Sequence, residues 1–172
     1  DLAIRSDGLI YFSDPNYQAP SPAPQAKTRL YRVPAGTHEA LVVDDTHQQP
    51  NGVTLSLDEK TLYLSAADGV FAYDVQADGS TGTGRKFTQA VSSGDGMGID
   101  CAGNLYVASN DAVVVLSPDG QELGRMRVTG VQSATNVAFG GPDHQTLYIT
   151  SLGSGNKRGP LSVHLQVPGR PS

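Results

Sequence analysis

Hydrophobic and polar residues alternate in short runs along this chain, and one run–turn–run unit returns four times. Each unit opens on an alternating apolar stretch, crosses an Asp/Gly-rich turn and continues as apolar–Tyr–apolar–small. The first reads Leu2-Ala3-Ile4, Ser6-Asp7-Gly8, Ile10-Tyr11-Phe12-Ser13. The second reads Val53-Thr54-Leu55, Leu57-Asp58-Glu59-Lys60, Leu62-Tyr63-Leu64-Ser65. The third reads Met97-Gly98-Ile99, Cys101-Ala102-Gly103-Asn104, Leu105-Tyr106-Val107-Ala108, and the fourth Val137-Ala138-Phe139, Gly141-Pro142-Asp143-His144, Leu147-Tyr148-Ile149-Thr150. A period of two bounded by turn residues predicts strands joined in hairpins. The tyrosines at 11, 63, 106 and 148 stand 52, 43 and 42 residues apart. Repeats of this length are typical of four-stranded propeller blades.

Further strand-like runs fill the intervals. Leu30 to Val33 and Ala40 to Val43 complete the first unit, Val70 to Tyr73 and the stretch around Phe87 the second, and Val113 to Leu116 with Leu123 to Val128 the third. No segment sustains a helical period, so the expected fold is an all-β propeller, with blades at about 1–49, 50–93, 94–133 and 134–172. The first three units yield four strands each and the fourth only three, ending with Leu161 to Val167. A propeller commonly closes by letting one terminus lend a strand to the last blade. The missing strand is then expected upstream of Asp1, and the absence of an initial Met agrees with a fragment of a larger ring. Four blades closing a ring by themselves is the alternative.

Composition narrows the function. With 20 Gly and 11 Pro in 172 residues the chain is rich in turns, and its net charge is −5. Lysines and arginines are scattered singly, so no basic face suits a phosphate backbone and nucleic acid is not an expected partner. The longest apolar runs, such as Ala112 to Leu116, are far too short to span a membrane as a helix. No signal peptide is recognisable, and neither a cytoplasmic nor a periplasmic setting is selected. The single cysteine, Cys101, forms no intrachain disulfide and reads as a small buried residue rather than a nucleophile.

In each blade the first strand is expected to line the central channel. Aligning the units on it places Asn51, Asp95 and Thr135 at one register, just ahead of the strand. An amide and a carboxylate converging at the channel mouth suit a hard divalent cation such as Ca²⁺ or Mg²⁺. Asn and Asp before a strand also serve as plain turn residues, and Gly52 and Gly96 behind them fit either reading. The loops between second and third strands open on the same face: 14–28, 66–69, 110–111 and 151–159. The first carries Pro15, Pro20, Pro22 and Pro24 and is a candidate lid; the last, Gly153 to Gly159, is locally basic. No Gly-x-Ser-x-Gly elbow, His-Glu-x-x-His or Cys-x-x-Cys pattern occurs. His38, His47, His144 and His164 are dispersed and read as surface or edge residues. Asp44-Asp45 is expected to face solvent, and Asp7, Asp58, Asp78, Asp119 and Asp143 to serve turns.

Several stretches together carry a family likeness. Gln49-Pro50-Asn51-Gly52-Val53, Gly94-Asp95-Gly96-Met97 with Asp100 and Gly103 to Val107, Thr135 to Gly141, and the opening Asp1-Leu2 to Asp14-Pro15 resemble the gluconolactonase/regucalcin (senescence marker protein) family. The resemblance implies a six-bladed propeller that hydrolyses sugar lactones or similar cyclic esters with one divalent cation in the channel, Ca²⁺ foremost and Mg²⁺, Mn²⁺ or Zn²⁺ as alternatives. It implies that Asn51 and Asp95 are metal ligands and that Asp95 is also the catalytic base. The family's remaining ligand, a Glu from its first blade, and a further Asn just before the Asp-Leu motif have no counterpart in this sequence. The chain as given is therefore expected to hold only part of the site, and by itself need not be active. Two other functions fit the same motifs: a non-enzymatic sugar-, metal- or protein-binding propeller, and a calcium-dependent phosphotriesterase-like propeller. An incomplete ring would also expose strand edges and apolar blade faces that invite self-association.

Overall fold

The computed structural model describes residues 1–17, 19–153 and 160–170, and no helix forms among them. Four antiparallel sheets follow one another along the chain, each a meander in which sequence neighbours pair. The first comprises β1 (Leu2–Ile4), β2 (Ile10–Asp14), β3 (Arg29–Val33) and β4 (Leu41–Asp44). The second comprises β5 (Val53–Leu55), β6 (Thr61–Ala66), β7 (Gly69–Asp74) and β8 (Arg85–Lys86). The third comprises β9 (Met97–Ile99), β10 (Leu105–Ser109), β11 (Ala112–Leu116) and β12 (Glu122–Arg127), and the fourth β13 (Ser133–Gly140), β14 (Thr146–Leu152) and β15 (Leu161–His164). Contacts between sheets run in series through the first strands, β1 on β5, β5 on β9 and β9 on β13, which is the arrangement of propeller blades.

The repeat is reproduced in register. The middle residue of each apolar first run pairs with the motif tyrosine: Ala3 with Tyr11, Thr54 with Tyr63, Gly98 with Tyr106 and Ala138 with Tyr148. The hairpin between them has its left-handed residue at Gly8, Glu59, Gly103 and His144. In three of these turns an Asp just ahead, Asp7, Asp58 or Asp143, accepts the amide two residues on. In the third blade the fully buried Asp100 does this work, accepting from the Ala102 and Asn104 amides, Asn104 Nδ2 and the Tyr106 hydroxyl.

Burial explains why the middle strands are apolar on both faces. Strand β6 places Leu62 and Leu64 against the first blade's Leu9, Tyr11 and Leu30, while Tyr63 turns to Met97, Ile99 and Leu105 of the third. Tyr106 likewise packs on Val137 and Leu147 of the fourth blade. The motif tyrosines of the first three blades thus face the next blade in sequence. Tyr148 of the fourth blade is 42% exposed, and at the other end of the series Leu2 and Ile4 are 56% and 58% exposed.

Strand β15 stops at His164, short of the expected Val167. Pro168 has no amide to extend a ladder, and the chain instead crosses the hairpin face of the propeller. Cys101 donates its amide to the Pro168 carbonyl at 2.9 Å, Gly169 donates to His144 at 2.8 Å, and Arg170 donates to Ile99 at 3.1 Å. The Arg170 guanidinium reaches Glu59 at 2.9 Å, and Glu59 also accepts from Ser6, so this segment joins all four blades. Cys101, expected to be buried, is exposed at the third hairpin, because Asp100 occupies the interior position beside it.

Candidate functional site

The residues ahead of the first strands add one more rung to the pairing with the second strands. The Asn51 amide donates to the Ser65 carbonyl at 2.8 Å and the Asp95 amide to the Ala108 carbonyl at 2.8 Å. In the first two blades a hydroxyl at the small position of the motif then joins the next blade. Ser65, fully buried, accepts from the Gly52 amide at 2.9 Å and donates to the Asp95 carbonyl. Ser13 donates to the Asn51 carbonyl at 2.5 Å. Ala108 has no hydroxyl, and there the Gly96 amide donates to the Thr135 carbonyl at 2.9 Å. The three registers expected from the repeat are therefore adjacent in space.

Space, not backbone conformation, requires the glycines. A Cβ on Gly52 would lie 2.5 Å from the Asp95 carbonyl oxygen and 3.0 Å from Gly96 Cα; one on Gly96 would lie 2.0 Å from Asn136 Oδ1. These contacts bring the Asn51 and Asp95 backbones together around the axis.

Asp95 and Asn51 are both half-buried. Asp95 Oδ1 accepts from the Gly96 amide at 3.0 Å. Burial pushes the Asp95 carboxyl above its ordinary range, against the Gly96 amide and the Asn51 carboxamide, which both favour its charged form. The Asn51 carboxamide and the Asp95 carboxyl thus act on one another across two blades. Asn51 Nδ2 also donates to the Tyr17 hydroxyl at 3.3 Å, which itself donates to the Gln49 carbonyl at 3.4 Å. Burial raises the Tyr17 phenol, the Asn51 contact lowers it, and the Asp95 charge raises it again, so Tyr17 belongs to the same cluster. Thr135 shares the register but turns its hydroxyl to Thr150 at 2.8 Å.

An open cavity of about 470 Å³ lies between the first strands, lined among others by Val53, Met97, Asn136 and Arg170; Asn51 and Asp95 are not part of its wall. That volume lies in the roughly 300–1,000 Å³ range of small-molecule sites. As a cation site the donor set fits in type and is small in number. A partly buried carboxylate beside an amide oxygen is hard-cation chemistry. Among the described residues no donor is hydrogen-bonded to Asn51 Oδ1, and no group of three or more His, Cys, Asp or Glu gathers to complete a shell.

Other expectations change. His47 is not simply a surface residue: its Nδ1 lies 2.9 Å from Asp68 and its ring stacks on Phe71 at 3.6 Å. Asp44 is turned inward, accepting from the Tyr73 hydroxyl at 3.0 Å, whereas Asp45 pairs with Lys27 at 2.8 Å. The loop after β2 does stand over the mouth, through Tyr17. Residues 154–159 of the basic loop lie outside the described residues. Sequence reasoning missed Tyr17, Ser65 and Ser13. The serines were visible as the small position closing each motif, and Tyr17 as an aromatic residue within the Pro-rich loop.

Four meandering sheets in contact through their first strands define the class as a β-propeller. Residues 1–153 match the SMP-30/Gluconolactonase/LRE-like region, and the chain belongs to that family. It is similar to the pentonolactonase XacC of Haloferax volcanii, with 33% identity over 142 residues covering 77% of this chain and 47% of that protein. It is similar to the gluconolactonase of Zymomonas mobilis, with 29% identity over 171 residues covering 88% of this chain and 47% of that protein. A solved structure of a putative gluconolactonase superposes with a TM-score of 0.84 at 26% identity, covering all of this chain and 60% of that one. The chain spans less than half the length of these two curated relatives.

Proposed function

We propose that this propeller serves metal-dependent hydrolysis of sugar lactones or related cyclic esters, with Asn51 and Asp95 as cation ligands and Asp95 as the base. The observation that supports the reading is the seating of the Asn51–Gly52 segment against the Asp95 carbonyl, bridged by the Ser65 hydroxyl, at the start of two neighbouring first strands. The family membership and the lactonase names of the relatives support the reaction class. The all-oxygen donor set suits a hard cation, Ca²⁺ or Mg²⁺, and Ca²⁺ is the one taken here. A bound divalent cation would polarise a lactone carbonyl and favour negative charge on its oxygen. Asp95 Oδ1 is held by the Gly96 amide, leaving Oδ2 to accept a proton from water. One carboxylate serving as both ligand and base is a compromise, since a nearby cation weakens it as a base. Asn51 carries no titratable proton and contributes a neutral oxygen.

The test is acid release from D-glucono-δ-lactone in a pH-stat. The reading expects release that depends on Ca²⁺, stops with chelator and is lost in Asp95→Ala. In a full-length protein that carries this chain, Ca²⁺ binding without any acid release would instead favour a binding module. The exposed Leu2 and Ile4 at one end of the blade series and Tyr148 and Leu152 at the other also favour self-association. Sedimentation should then show species heavier than the 18.0 kDa chain; a clean monomer would dismiss that part.

A further inference from the structure

We infer that Tyr17 is a positioning residue for the cation site, holding the Asn51 carboxamide so that its oxygen points to the cation. The inference deepens the proposed function and rests on its assignment of Asn51 as a ligand. An asparagine side chain can present either its oxygen or its NH₂ to a site, and the two faces differ in shape by very little. Once a bound cation engaged the Asp95 carboxylate, which otherwise also draws the NH₂, the partner left to the NH₂ would decide between them. Here Asn51 Nδ2 donates to the Tyr17 hydroxyl at 3.3 Å, and that hydroxyl directs its own proton to the Gln49 carbonyl at 3.4 Å. With its proton so directed, the phenol oxygen offers Asn51 a lone pair rather than a donor. The amide that matches it is the one with Nδ2 turned to Tyr17 and Oδ1 left open.

The phenol is itself anchored. Asn16, its neighbour in sequence, donates its backbone amide to Gln49 Oε1 at 3.1 Å and accepts from Gln49 Nε2 at 2.5 Å. The start of the Pro-rich loop is thereby fastened at two points to the segment that leads into Asn51. Hydrogen bonds of this kind behind metal ligands commonly change metal affinity by an order of magnitude or more. The loop is thus part of the site, and Tyr17 couples it to the ligand.

The test is calorimetric Ca²⁺ titration of the full chain as wild type, Tyr17→Phe, Asn51→Ala and the double variant. Tyr17 is 58% exposed, so Phe is expected to leave the melting temperature of the metal-free protein within about 2 °C of wild type. Tyr17→Phe should weaken Ca²⁺ binding roughly tenfold. In the Asn51→Ala background the same change should shift affinity by less than about twofold, since Tyr17 acts through Asn51. Unchanged affinity in Tyr17→Phe, or an equal loss with and without Asn51, overturns this role while leaving the cation site standing. A wild-type chain that binds no Ca²⁺ overturns the site and this inference together.

Discussion

Ser65 makes the sharpest prediction about how the site is assembled. Its hydroxyl is fully buried, accepts from the Gly52 amide and donates to the Asp95 carbonyl, so Ser65→Ala strands one buried donor and one buried acceptor in adjacent blades. Each such group left without a partner costs about 1–3 kcal/mol. The close fit of Gly52 against Asp95 and Gly96 leaves little room for water to substitute. The loss should therefore total about 2–6 kcal/mol, or roughly 5–17 °C in melting temperature for a domain of this size. Urea denaturation followed by far-ultraviolet circular dichroism reads it as a lower midpoint at unchanged slope. Ser65→Cys keeps the volume with a weak donor and should fall between Ala and wild type. A Ser65→Ala loss below about 0.5 kcal/mol would refute the claim that this hydroxyl holds the Asn51 and Asp95 segments together.

Three further outcomes follow from the same geometry. Burial raises the Asp95 carboxyl, so in the metal-free protein its charge opposes folding once the pH exceeds the folded-state value, and that penalty vanishes below the ordinary carboxylate range. Asp95→Asn should hence stabilise the metal-free chain at pH 7 with a gain that fades towards pH 3, as pH-dependent denaturation would read; a constant or opposite effect contradicts it. Gly96→Ala must place a Cβ 2.8 Å from Asn136 Cα, a backbone atom, and should cost about 1–3 kcal/mol or more by the same denaturation assay. Asp100→Ala leaves two backbone amides, Asn104 Nδ2 and the Tyr106 hydroxyl without their shared acceptor and should cost about 3 kcal/mol, whereas Cys101→Ser beside it, exposed, should change stability by less than about 0.5 kcal/mol.

The fold was legible because the blade repeat writes the same packing problem four times. The Tyr-centred motif sits on the second strand, its register with the first strand is constant, and the turn chemistry of Asp7, Asp58 and Asp143 is local. The register of Asn51, Asp95 and Thr135 was legible for the same reason. What escaped was everything set by contact between segments remote in sequence. Tyr17 lies 34 residues from Asn51 and Ser65 lies 30 from Asp95, and neither distance matches the blade period. Asp44 and His47 read as polar loop residues, yet Tyr73 and Phe71 of the next blade draw them inward. The apolar pattern of Leu165 and Val167 favours a longer last strand, and only the partners of Pro168 to Arg170 on other blades redirect the chain.

The direct test of a cation held between Asn51 and Asp95 is tyrosine-sensitised terbium luminescence. The chain has 7 Tyr and no Trp, and Tyr17 stands one hydrogen bond from Asn51, so a lanthanide at this mouth has an energy donor beside it. Terbium should give saturable emission that Ca²⁺ displaces, that Asn51→Ala weakens and that Asp95→Ala abolishes. Equal emission from wild type and Asp95→Ala would place the cation elsewhere.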